Sequence, residues 1–182
     1  LKGLFTPKSK GIDILANMNR FDIVFIQPFL KGKLSDMSGY LNGHAHVYST
    51  PNSLKFTSER TSFENLTTRI SYTNVPYTFD GPFNLDDNVI TIHDVTMTDR
   101  SGGIGLLSGT ITLNKDEGAV IDAALQTESL EILDLPDSPN RNIAGKLSAR
   151  GDIKVSGPLR NLLIEGSAGT VGNGNVRIST GT

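Results

Sequence analysis

Hydrophobicity alternates residue by residue along most of this chain. From Leu147 to Gly157, apolar or small residues (Leu147, Ala149, Gly151, Ile153, Val155) take turns with polar ones (Lys146, Ser148, Arg150, Asp152, Lys154, Ser156). Successive side chains on a β-strand point to opposite faces, so such a run reads as a strand with one buried and one wet face. Ile12, Ile14, Ala16 and Met18 alternate in the same way with Asp13, Asn17 and Asn19. So do Leu107, Gly109, Ile111 and Leu113 with Ser108, Thr110 and Thr112, and Ile121, Ala123 and Leu125 with Asp122, Ala124 and Gln126. Shorter pieces fit the same period: Leu54/Phe56, Ile70/Tyr72, Tyr77/Phe79, Ile90/Ile92, Val95/Met97 and Leu162/Ile164. No segment keeps a helical stripe for more than about two turns, and only Arg20 to Leu30 has room for a short helical turn.

Turn-forming clusters separate these runs. They are Thr50-Pro51-Asn52-Ser53, Asp80-Gly81-Pro82, Asp99 to Gly103, Asn114 to Gly118, Gly157-Pro158 and Gly172 to Asn175, the last reading as a hairpin turn. Asp134 to Asn142 reads as a loop, because its two prolines do not fit a central strand. Turn signals every ~8–12 residues predict roughly fifteen strands. The tetrapeptide Gly-Lys-Leu-Ser occurs at Gly32–Ser35 and again at Gly145–Ser148, each time opening a glycine-punctuated alternating stretch. A stacked array of β units would repeat in this way. The expected fold class is all-β, in one domain over residues 1–182. The hydrophobic fraction is 37% and there are 19 glycines. So little apolar material suits an elongated or one-layer sheet better than a compact globule. Alternation alone fits a closed β-sandwich equally well.

Composition narrows the function classes. The net charge is −2 and basic residues are scattered, without the basic stripe of a nucleic-acid binder. Lys2, Lys8 and Lys10 read as a solvated edge. There are no cysteines, which excludes disulfides, thiolate metal sites and a cysteine nucleophile. The longest apolar run, Ile23 to Ile26, is far too short to cross a bilayer. The chain begins at Leu1 without a signal-peptide pattern, so it is expected to be part of a larger envelope protein whose anchor or export signal lies elsewhere.

The sequence carries no recognisable catalytic motif. His44 and His46, two apart on one strand face, have chelating spacing with His93 as a conceivable third ligand, but no carboxylate is placed with them. They read instead as surface imidazoles opposite the buried Ala45 and Val47. Asp86, Asp87, Asp94 and Asp99 lack the alternating oxygen spacing of a calcium loop, and Asp99 reads as a residue bonding its own turn. No nucleophile elbow or phosphate-binding loop is present. The expectation is a non-enzymatic protein without a cofactor or metal.

Several passages resemble one family. The segment from Ile143 to Ile164, with its run Gly145-Lys146, Gly151, Ser156-Gly157-Pro158 and Asn161-Leu162-Leu163-Ile164, is similar to the C-terminal region of TamB-like proteins. These are the inner-membrane subunits of the translocation and assembly module, and the likeness is to versions found in Bacteroides-type bacteria. Upstream, Val75-Pro76-Tyr77, then Asp94 to Gly103, then Leu107 to Ile111 follow in the family's order, and Asp22 to Gly43 resembles the element before them. The resemblance implies a U-shaped sheet with an apolar concave face, in a protein anchored in the inner membrane of a Gram-negative bacterium. Such a protein crosses the periplasm to meet an Omp85-type outer-membrane partner. It also implies a role in outer-membrane protein assembly, in moving phospholipid between membranes, or in both.

An acyl-chain conduit needs a continuous dry apolar surface, since each buried CH₂ contributes about 0.8 kcal/mol. The residues expected to line it are Ile12, Ile14, Ala45 and Val47, then Leu54, Phe56, Ile70 and Tyr72, then Ile90 and Ile92. Leu107, Ile111, Leu113, Ile121 and Leu125 follow, and Leu147, Ile153, Val155, Leu162 and Ile164 complete the set. Gly109 and Gly151 fall among them, where a missing side chain leaves room for a bend or a guest. The other function weighed is a β-sandwich interaction or adhesion module whose apolar face is an ordinary core. An enzyme on a β-solenoid is the least supported reading.

Overall fold

The structure is a computed structural model that describes residues 2–6, 11–24, 34–114, 118–138, 142–158 and 161–178. The described residues form ten strands: β1 (Lys2–Thr6), β2 (Gly11–Asp22), β3 (Leu34–Ser49), β4 (Leu54–Ile70), β5 (Val75–Asp86), β6 (Val89–Asp99), β7 (Ile104–Asn114), β8 (Gly118–Leu135), β9 (Ile143–Pro158) and β10 (Leu163–Ile178). Each strand pairs antiparallel with its neighbour in sequence, so one open sheet runs from β1 to β10 without a crossover. The chain is therefore all-β, as the alternation implies, in a single curved sheet. Among the described residues no second sheet covers the first, so the sandwich arrangement is not adopted.

Ten strands replace the expected fifteen because several glycine and proline signals are bends within strands. Asp80-Gly81-Pro82 lies inside β5, where the register against β6 slips between Asp80 and Phe83. Gly81 has φ 139°, and a bulge is one of the few places a strand tolerates proline. Gly172 to Asn175 likewise lies inside β10 as a register slip, so it is no hairpin turn. The loop expected from Asp134 begins only after Leu135, where β8 ends. Of the possible helical turn at Arg20 to Leu30, Ile23 and Val24 form a 3₁₀ turn and residues 25–30 lie outside the described residues, as do Gly32 and Lys33 of the first Gly-Lys-Leu-Ser copy and the basic Lys8 and Lys10. Asp99 does bond its own turn, its Oδ1 accepting from the Ser101 N–H at 2.7 Å and the Gly103 N–H at 2.9 Å.

The sheet curls strongly at one end. In a flat sheet β5 and β8, three positions apart, would stand roughly 14 Å from each other. Here both β5 and β6 reach β8. Val75, Tyr77, Met97, Leu125 and Leu130 form one buried cluster across that fold, with Ile70, Phe79, Leu107 and Ile153 packed against it. A second cluster, Ile23, Met37 and Leu66, lies beside it under Leu41, Phe63 and Phe79.

Polar groups lock the curl. The Tyr77 hydroxyl donates to the Glu131 carbonyl at 2.7 Å, and the Glu131 N–H donates to Asp99 Oδ2 at 2.7 Å. The Asp134 N–H donates to the Thr73 carbonyl at 2.9 Å, and Asn74 Nδ2 donates to the Asp134 carbonyl at 2.8 Å. The Glu131 side chain is 1% exposed and meets Arg100 Nη2 at 2.6 Å and Lys146 Nζ at 3.1 Å. A carboxylate so placed needs both cations to offset lost hydration. Arg100 also bonds Asp134, and the two carboxylates raise the guanidinium's pKa above its ordinary value, Glu131 first.

Burial pushes the Tyr77 phenol far above its ordinary 10.0. The folded state therefore favours the protonated form. That stability is fully present below pH ~10 and is lost as pH rises past the value at which the unfolded chain ionises. Tyr77→Phe is expected to cost about 1–2 kcal/mol at neutral pH through the lost buried hydrogen bond. It should also flatten the decline in stability above pH ~10, which urea titrations at pH 7, 9.5 and 11 would read.

Candidate functional site: an apolar trough

Antiparallel partners point to the same face, so the register reads out the inner surface directly. One row across the sheet is Phe83, Ile92, Gly109, Ala123, Val155 and Ile164. The next is Val95, Leu107, Leu125, Ile153 and Gly166. On the other side lies the row Leu85, Ile90, Ile111, Ile121 and Gly157. Over β2 to β4 the same face carries Ile14, Val47 and Phe56 in register. Along β8 the inner residues Ala119, Ala123, Leu125 and Thr127 are buried, whereas Asp122, Ala124, Gln126 and Glu128 are exposed. Along β8 the inner face is thus apolar and sheltered by the curl and the outer face polar and wet; on the neighbouring strands the outer face also exposes Leu15 and Leu106.

Burial grades along the trough. At the locked end Val75 and Leu130 are completely buried. In the middle Ile92 and Leu125 are buried, while Leu107, Ile153 and Val155 are half-buried. Towards the β3–β4, β5–β6 and β7–β8 turns, Ile12, Ile14, Ala45, Val47, Ile90, Ile111 and Ile121 remain half-buried. Leu54, Phe56 and Leu113 at that end are 41%, 37% and 45% exposed. These large apolar side chains are left accessible on a curved sheet that no second sheet covers among the described residues. Lys55 Nζ sits 2.5 Å from Asp87 Oδ2 at this rim, tying β4 to the β5–β6 turn, and that carboxylate holds the ammonium above its ordinary pKa.

Most residues expected on this face from the sequence are brought together on it. Two are placed otherwise. Tyr72 is in the Ser71–Asn74 turn, 49% exposed, because β4 stops at Ile70. Leu162 precedes β10 rather than starting it. Ile164 is in register with Val155, but on the outermost strand it is 66% exposed. Ile70 and Leu147 lie nearer the locked end, Ile70 against the buried cluster. Gly109 and Gly151 serve strand approach and leave no room for a guest. A Cβ on Gly109 would stand 2.3 Å from the Asp122 carbonyl oxygen, and one on Gly151 2.1 Å from that of Ser167.

The sequence did not single out Phe63, Phe83 and Leu66 as inward. Phe63 and Phe83 stack with ring centroids 4.3 Å apart, and Leu66 sits in the second buried cluster. In β4 the register slips twice, between Thr57 and Thr61 and between Phe63 and Leu66, so the inward positions change from even to odd and back.

The outer face carries two shallow depressions, of about 500 Å³ over β7 to β10 and about 630 Å³ over β2 to β4. Polar side chains dominate both, among them Asp152, Lys154 and Glu165 in the first and His44, His46 and Glu59 in the second. His46 Nε2 lies 2.7 Å from Asp13 Oδ1 and its ring contacts Tyr48. His93 is on β6, three strands from β3, so it does not join the pair. Among the described residues no three His, Cys, Asp or Glu side chains are grouped to hold a metal ion.

Compared with protein families, with curated proteins and with solved structures, the chain matches none.

Proposed function

We propose that this chain is a segment of a periplasm-spanning envelope protein that shields acyl chains in its trough and conducts them between the inner and outer membranes. The observation that carries this reading is the apolar inner face of a one-layer sheet, covered by no second sheet among the described residues and continuous in register over most of the strands. An acyl chain laid there exchanges water for aliphatic contact at about 0.8 kcal/mol per CH₂ and asks for no polar catalytic group. The likeness of the Ile143–Ile164 segment to TamB-like proteins gives the cellular setting: a Gram-negative periplasm, an Omp85-type partner, and assistance to outer-membrane protein assembly as the companion role.

The test is binding of a fluorescent long-chain fatty acid to the purified chain. Saturable binding is expected, insensitive to salt and displaced by phospholipid. Absence of binding up to the probe's solubility limit contradicts the reading.

A further inference from the structure

We propose that the Lys55–Asp87 pair, on the lip of the trough at the β5–β6 turn, receives a zwitterionic phosphate–ammonium headgroup, so that the trough selects lipids with such a head over lipids with an anionic one. This assignment rests on the acyl-chain reading above and concerns the part of the ligand that an apolar trough rejects. An amphiphile laid on the inner face leaves its charged head where the apolar surface ends, because apolar surroundings expel an unpaired charge.

The two ends of the strands offer such a head different things. At the locked end Val75 and Leu130 are completely buried, and the charges are committed to one another. Glu131 is held by Arg100 and Lys146, and Arg100 also by Asp134. At the other end Leu54, Phe56 and Leu113 are exposed, and the polar turn among them is fixed in place. The Asp87 N–H donates to the Phe56 carbonyl at 2.5 Å, and the Leu113 N–H donates to the Asn88 carbonyl at 2.7 Å. Asn88 Nδ2 donates to the Leu113 carbonyl at 3.0 Å. The β5–β6 turn is thereby tied to β4 on one side and to β7 on the other.

Lys55 stands between Leu54 and Phe56 in the chain, and the pleat turns it away from the inner face. Its ammonium meets Asp87 at the end of the sheet, and both side chains are 37% exposed. The pair therefore crowns the lip, where an incoming head displaces water and a weak ion pair at little cost. The ammonium presents a point charge to a phosphate, and Asp87 presents a carboxylate to the head's own cation. The exposed Asp86 sets a second carboxylate beside them, opposite Thr57 of β4. Over residues 47–57 and 84–90 Lys55 is the sole lysine or arginine. Two carboxylates against one ammonium favour a head that carries its own cation and disfavour a purely anionic one.

The test is competition for the fluorescent fatty acid on the purified chain. Two single-tailed phospholipids of equal tail length compete, one with a phosphocholine head and one with a phosphoglycerol head, so the tail contribution cancels in their ratio. The zwitterionic lipid is expected to compete about tenfold better, and its advantage to shrink as salt is raised. Asp87→Asn should bring the ratio close to one, since asparagine tolerates the φ of 55° at this position. Adding Asp86→Lys should reverse the preference. Lys154→Gln, which removes an exposed ion pair on the outer face, should leave it unchanged. Glycerophosphocholine, the same head without a tail, should not compete. Circular dichroism checks that each variant is folded. Equal affinity for the two lipids, or a preference for the anionic one, overturns the headgroup assignment and leaves the trough reading in place. So does a preference that survives in the double variant or is lost in Lys154→Gln, and so does competition by the tailless head. If neither the lipids nor the fatty acid bind, the trough reading fails and the headgroup assignment falls with it.

Discussion

Gly109→Val lowers the free energy of unfolding by about 4 kcal/mol or leaves the chain unfolded. Gly109 holds φ 149°, a conformation that costs a residue with a side chain about 1–3 kcal/mol. Its absent Cβ would lie 2.3 Å from the Asp122 carbonyl oxygen and 2.5 Å from the Ala123 Cα. Both atoms are backbone, so no side-chain rotation relieves the clash and β7 must part from β8. Each ladder hydrogen bond lost adds about 1 kcal/mol. The matched control is Gly169→Ala, where a Cβ meets nothing within 4 Å. That change should stay within about 0.5 kcal/mol of the parent. Urea titration followed by circular dichroism reads both. Equal midpoints would mean that β7 and β8 are not as closely apposed as described.

Ile153→Asp is expected to cost about 3 kcal/mol and to abolish fatty-acid binding. Ile153 is half-buried and packs against the cluster of Val75, Tyr77, Met97, Leu125 and Leu130. A carboxylate there replaces aliphatic contact with a charge set against that apolar cluster. The next residue is the control, because the pleat turns it outward. Lys154 is exposed, with Nζ 3.4 Å from Asp122 Oδ1 in a pair whose side chains are 56% and 65% exposed. Lys154→Asp loses that weak pair and sets two carboxylates near each other, for about 0.5 kcal/mol. Binding should survive it. Similar losses at 153 and 154 would mean that the two faces are not functionally distinct.

The face division was legible wherever a strand runs without a slip. In β7 and the first half of β8, Leu107 to Leu113 and Ile121 to Leu125 keep the period of two, and their inward residues follow directly from it. The slips themselves were not legible. Arg60, Asn65 and Asp94 hold positive φ within strands, and each sits where the inward phase changes, as from Ile92 to Val95 in β6. Asn and Asp tolerate that conformation, but nothing in the sequence distinguishes these from the many Asn and Asp residues in extended backbone or turns. The same ambiguity made Asp80-Gly81-Pro82 resemble the end of a strand. The curl was invisible for another reason. Tyr77 to Glu131 and Asn74 to Asp134 join residues 54 and 60 positions apart, and period and turn chemistry report only local structure. Without the curl, the trough reduces to a list of alternating aliphatics.

Site-directed photocrosslinking to phospholipid tests the central claim most directly. A photoreactive residue is placed at 47 or 153, facing the trough, and at 46 or 154, facing outward, in the protein expressed in cells. Lipid adducts from 47 and 153, with none above background from 46 and 154, are the predicted result. Adducts from the outward pair, or none from the inward pair, would contradict it.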